Sequence, residues 1–148
     1  MKDRKIINVP QFSHCTDREV DWLLKSSEEV DYEAGQKILD RNTLPEHFYF
    51  LIEGEWTMKR YVQGLDRPAV WKTSRPGSWH GGIRTIDLIA PADVVANRNC
   101  RIFEIPREIM HELITKNYSV AQKMLTGIRG GAELLDNHAQ KKTDNFAH

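Results

Sequence analysis

Cysteine is scarce in this chain. Cys15 and Cys100 are the only two among 148 residues. Two thiols cannot build a disulfide framework, and no CxxC pair or Cys/His cluster at zinc spacing accompanies them. Both are read as reduced thiols of a cytoplasmic protein. An excess of either charge is also lacking, because Lys plus Arg total 21 and Asp plus Glu total 21. That balance argues against nucleic acid as a partner, since such binding needs a basic excess to displace counterions. Long apolar runs are missing too. The start, MKDRKIINVPQF, has no apolar targeting core, and no stretch approaches the length of a membrane span. No membrane association is therefore expected.

Catalytic patterns are equally thin. The six histidines (His14, His47, His80, His111, His138 and His148) form neither HxH nor HExxH. No Ser/His/Asp or Cys/His arrangement at a recognisable spacing suggests covalent catalysis. The chain is not expected to be an enzyme. A metal-dependent, cupin-like barrel using His80 or Asp93 stands as a minor alternative.

What is present is a change of hydrophobic period along the chain. CTDREVDWLLKS reads as a helix, with Thr16 and Glu19 spaced as a capping box and Val20, Leu23 and Leu24 as its apolar stripe. Alternation at a period of two follows. EEVDYEAGQKILDRN turns at Ala34-Gly35, HFYFLIEGEWTMKRYV breaks at Gly54 as for a tight hairpin, and AVWKTS and ADVVANRNCRIFEI are further extended runs. Helical spacing resumes with Pro106 as a first helical residue, carrying Ile109, Met110, Leu113 and Ile114 on one face. A second helix is expected from a cap at Ser119, with Ala121, Met124, Leu125 and Ile128 as its stripe. The order of helix, many short strands, then helices predicts an α+β domain built on an antiparallel β-roll or jelly roll. One domain is expected over residues 1–135, with a polar tail over 136–148.

PGSWHGG, residues 76–82, is the segment that asks for a ligand. Gly81-Gly82 lets backbone come close to something, or else makes a tight turn. Trp79 and His80 beside it are candidates for a pocket rim, by stacking or by coordination, or are simple packing.

The succession YEAGQKILDRN, HFYFLIEGEWTMKR, PGSWHGG and ADVVANRNCRIFEIPREIMHELI, behind a short leading helix, resembles the cyclic nucleotide-binding domain. The resemblance runs from about residue 9 to about residue 130. It implies an eight-stranded β-roll flanked by helices with a ligand inside. The family holds that ligand in a phosphate-binding cassette: a glycine, a glutamate for the ribose hydroxyl, a short helix, and an arginine for the phosphate. Laid on this chain, the glycine falls on Gly81 and the glutamate position on Gly82. Ala90 stands where the arginine belongs, and Asp93, beside Ala92, stands where the family has threonine or serine. Gly81, Gly82, Ile83, Arg84, Ala92 and Asp93 are thus the candidate ligand-binding residues, with Arg84 as the one substitute guanidinium. Hydrogen bonds to charged groups are worth about 1.5–3 kcal/mol each, so two lost partners cost about two to four decades of affinity.

The chain is expected to be a stand-alone regulatory or sensory module, not a conventional tight binder of cyclic AMP. It is expected to need no cofactor beyond a cyclic nucleotide or another small ligand. No winged-helix DNA reader is expected in the residues after Pro106. A dimerising interaction module, with a protein partner or a second copy meeting residues 106–130, is the alternative.

Overall fold

The computed structural model describes residue 6 and residues 9–42, 46–61, 64–81 and 92–124. Two helices and eight strands follow in the order α1 (Asp17–Ser26), β1 (Glu28–Tyr32), β2 (Lys37–Leu39), β3 (His47–Glu53), β4 (Trp56–Arg60), β5 (Ala69–Thr73), β6 (Trp79–Gly81), β7 (Ala92–Ala96), β8 (Cys100–Pro106) and α2 (Arg107–Lys116). A 3-10 turn, Pro10–Phe12, precedes α1, and residues 118–124 are helical after α2.

The capping box of α1 forms as its sequence indicates. Glu19 N–H donates to Thr16 Oγ1 at 3.1 Å, and Thr16 N–H donates to Glu19 Oε1 at 2.9 Å. The second cap lies elsewhere. Asn117, not Ser119, accepts from Val120 N–H at 3.2 Å through Oδ1, and its Nδ2 reaches Glu19 at 3.2 Å. A side-chain amide does both jobs at once, accepting for one helix and donating to the other. Pro106 likewise stands one place earlier than its sequence reading, as the N-cap of α2 and the last residue of β8.

The strands pair by nesting: β4 with β5, β3 with β6, β2 with β7 and β1 with β8, all antiparallel. Additional pairs, β3 with β8 and β4 with β7, join these into two four-stranded sheets, β1-β8-β3-β6 and β2-β7-β4-β5. This is a long hairpin rolled up, the α+β roll that the sequence pattern called for. Gly54 is therefore not a hairpin turn. It carries the chain from β3 in one sheet to β4 in the other, with φ 106°.

Each face of the first sheet has its own core. Phe48, Phe50, Phe103 and Ile105 pack with Phe12, Val20, Leu23, Met110 and Leu113 on the helix side. Leu51, Ile102 and Cys100 point the other way and meet Trp56, Met58, Val94 and Ala96 inside the roll. Burial on both faces is why HFYFLIE and CRIFEI read as nearly unbroken apolar runs. Val120 and Met124 are buried in the helix-side core. Met124 of the last apolar stripe thus packs within the chain, while Ala121 is half-buried and Tyr118 is exposed. Leu125, Ile128 and the 136–148 tail lie outside the described residues.

Candidate ligand site in the roll

Strand β6 decides where the PGSWHGG residues go. Its register sets Gly81 opposite Phe48, His80 opposite Tyr49 and Trp79 opposite Phe50. Alternation then splits the segment between the two cores. Trp79 faces the helices, its ring 5.8 Å from Phe48 and 6.3 Å from Phe50. His80 faces the interior of the roll. The two aromatic rings therefore do not share a pocket wall.

Gly81 has a packing reason to be glycine. A Cβ there would run into the Phe48 ring at Cδ1, well inside any permitted contact. Its φ is not in the left-handed region, which within this segment belongs to Gly77 at 93°. Gln11 Nε2 donates to the Gly77 carbonyl at 2.7 Å, so the turn before β6 is pinned to the N-terminal 3-10 turn. Gly82, Ile83, Arg84 and Ala90 lie outside the described residues.

Ala92 and Asp93 also part company across their strand. Ala92, Val94 and Ala96 face inward and are buried. Asp93 faces outward, accepting from Arg41 N–H at 2.9 Å and from the Tyr61 hydroxyl at 3.0 Å, with Lys37 Nζ at 3.5 Å. Burial opposes its charge. The hydrogen bonds from Arg41 and Tyr61 and the Lys37 ammonium outweigh that, so the carboxyl sits below the usual range. Asp93 is thus a clasp on the outer face, because the period of two turns it away from Ala92.

The interior holds polar groups that motif reasoning passed over. On β4, Trp56, Met58 and Arg60 face inward. Arg60 Nη2 donates to His80 Nδ1 at 3.1 Å, a bond that crosses from one sheet to the other. It also lies 3.3 Å from Met58 Sδ, and the guanidinium carbon is 5.5 Å from the Trp71 ring centre. Since an arginine has no acceptor, His80 must offer a bare Nδ1 and carry its proton on Nε2. Burial, seconded by the Arg60 charge, pushes the His80 pKa down to about 3. The imidazole is neutral at physiological pH.

The row continues along the first sheet. His80 stands beside Tyr49, Tyr49 beside Glu104, and Glu104 beside Glu28. Glu104 accepts from the Tyr32 hydroxyl at 3.0 Å. Burial raises the Glu104 carboxyl, and the Tyr32 bond partly offsets this. Burial and the Glu104 charge raise Tyr49 and push Tyr32 well above its usual value. A signal for Arg60 exists in WTMKR, where the arginine is in phase with Trp56 and Met58 and so falls on the buried side of the alternation.

Residues 29–117 match the family pattern described as cyclic nucleotide-binding domain. The chain belongs to that family. Its nested roll agrees with solved relatives. The Thermus thermophilus catabolite activator protein superposes with a TM-score of 0.67 at 20% identity over 90% of this chain. This chain spans 63% of that protein's length. The kinase regulatory domain PKAR CBD2, bound to Sp-2Cl-cAMPS, gives 0.69 at 12% identity, covering 91% of this chain and 87% of its own. The sensor domain of the transcriptional regulator DNR from Pseudomonas aeruginosa gives 0.66 at 15% identity, covering 95% and 90%. Comparison with curated proteins by sequence finds no match. At these identities the likeness is one of fold, which is that of a cyclic nucleotide-binding regulatory domain. Among the described residues of this family member, no group of three or more His, Cys, Asp or Glu could hold a metal ion. No described helix is long and apolar enough to cross a membrane.

Proposed function

We propose that this cyclic nucleotide-binding domain is a regulatory or sensory binding module that does not hold cyclic AMP in the family's usual way. One observation carries the reading: Gly82 and Ala90 stand where the family pattern has its ribose-binding glutamate and its phosphate-binding arginine. A desolvated pocket lacking both groups leaves the ligand's hydroxyl and phosphate without their partners, and each loss weakens binding. Output then passes to another protein, with the small ligand as the input.

Isothermal titration with cyclic AMP and cyclic GMP tests this reading. The expected result is no saturable heat in the micromolar range. Micromolar binding of either nucleotide would overturn it.

A further inference from the structure

Arg60 is the strongest unassigned feature of the molecule. Its guanidinium is largely buried on the inward face of β4, and no carboxylate among the described residues pairs with it. Its one oxygen or nitrogen partner there, His80, is neutral. Nε is buried with no hydrogen-bond partner among the described residues. The indole Nε1 of Trp56, the other orphaned polar atom on β4, is also a donor.

Taking a guanidinium out of water without a counter-charge is costly, and burial accordingly pulls the Arg60 pKa down to about 10. The group stays charged at neutral pH even so. An acceptor-rich ligand would supply both the missing charge and the missing acceptor. The neighbouring side chains favour one with a flat ring. The neighbours of Arg60 in the sheet are Ala69 and Ala92, whose methyl groups crowd little. Trp71, two residues along β5 from Ala69, is half-buried beside the guanidinium.

We propose that Arg60, oriented by His80 and flanked by Trp71, binds the anionic head group of a small aromatic acid inside the roll. The anchor is on β4, not in the cassette segment, and the inference rests on the reading that the cassette is not the anchor here. Carboxylate and phosphate head groups share the chemistry, since a guanidinium fork receives either through two parallel N–H bonds. His80 is a positioning residue. Its bare Nδ1 holds Nη2 and leaves the rest of the fork free.

Thermal melts with benzoate, phenyl phosphate, inorganic phosphate and neutral benzamide test the site. Near saturation, benzoate or phenyl phosphate should raise Tm by roughly 5 °C, while benzamide leaves it unchanged. The larger of the two responses names the head group. Inorganic phosphate alone should do less than either, for want of the ring. Arg60→Met should abolish the anion response, and without ligand it should melt no lower than wild type, because it removes an unpaired buried charge. Arg60→Lys, which keeps the charge but loses the fork, should weaken the response about tenfold.

A wild type indifferent to all these anions overturns the site and leaves the regulatory-module reading standing. An Arg60→Met protein that responds as wild type does, or that melts much lower or fails to fold, also overturns it. Micromolar cyclic AMP binding untouched by Arg60→Met removes both readings together.

Discussion

The side chains of Arg60 on β4 and His80 on β6 meet across the roll, Nη2 donating to Nδ1 at 3.1 Å. This one bond joins the two sheets and fixes the imidazole tautomer. It also sets a permanent positive charge against a base that burial keeps unprotonated.

Acid should therefore unfold the protein partly through His80. The unfolded chain binds a proton near the ordinary histidine value of 6.5, whereas the folded chain refuses it until about 3. Between those values the unfolded state binds more protons, so stability falls as pH falls, by up to about 1.4 kcal/mol per pH unit. Glu104 opposes this, because its raised carboxyl favours the folded state on acidification. Urea denaturation at about pH 7 and about pH 5 should show the loss in wild type and a flatter response in His80→Phe. Equal slopes in the two proteins would remove His80 from the account.

Gly81→Ala should destabilise the domain by about 1–3 kcal/mol, the usual range for overpacking. The added methyl runs into the ring of fully buried Phe48. Combining it with Phe48→Leu should cost less than the two separate changes added together. Additive losses would mean that the clash is not the cause.

The helix caps should be worth measurable stability. Thr16→Ala removes half of a capping box and is expected to cost about 1 kcal/mol in urea denaturation. Asn117→Ala should cost at least as much, since it loses both the Val120 bond and the link to Glu19. Ser119→Ala should be nearly silent.

Cys15 should alkylate slowly. Burial, with Glu19 adding and Lys123 opposing, raises its pKa from 9.0 to about 11. Thiolate is the reacting form, so its fraction at neutral pH falls roughly a hundredfold. Iodoacetamide labelling followed by mass spectrometry should modify Cys15 much faster in urea than in the folded protein. Equal rates would contradict the burial.

The roll was legible in the sequence because its strands alternate and its turns carry glycine. Leu23 and Met110 announced themselves by spacing alone. Less readable was which sheet each strand joins, and Gly54 was misjudged for that reason. A positive-φ glycine looks the same in a hairpin and in a crossover between sheets. The cap at Asn117 was missed because Ser119 and Gln122 imitate a capping box, while the link from Asn117 to Glu19 joins residues far apart in the chain. Motif reasoning fixed on the cassette and found the Trp79-His80 pair, but neighbours in sequence face opposite sides of a strand. Arg60 was overlooked because lysines and arginines are ordinarily read as solvent-facing. Its phase with Trp56 and Met58 was the evidence against that habit.

The most direct measurement is a paired titration with cyclic AMP of the wild type and of a Gly82→Glu, Ala90→Arg variant. Restoring both groups should recover about two to four decades of affinity, at about 1.5–3 kcal/mol each. Wild type should show no micromolar binding, and the variant should saturate clearly. Tight binding by the wild type, or a folded variant with no gain, would contradict the proposed function.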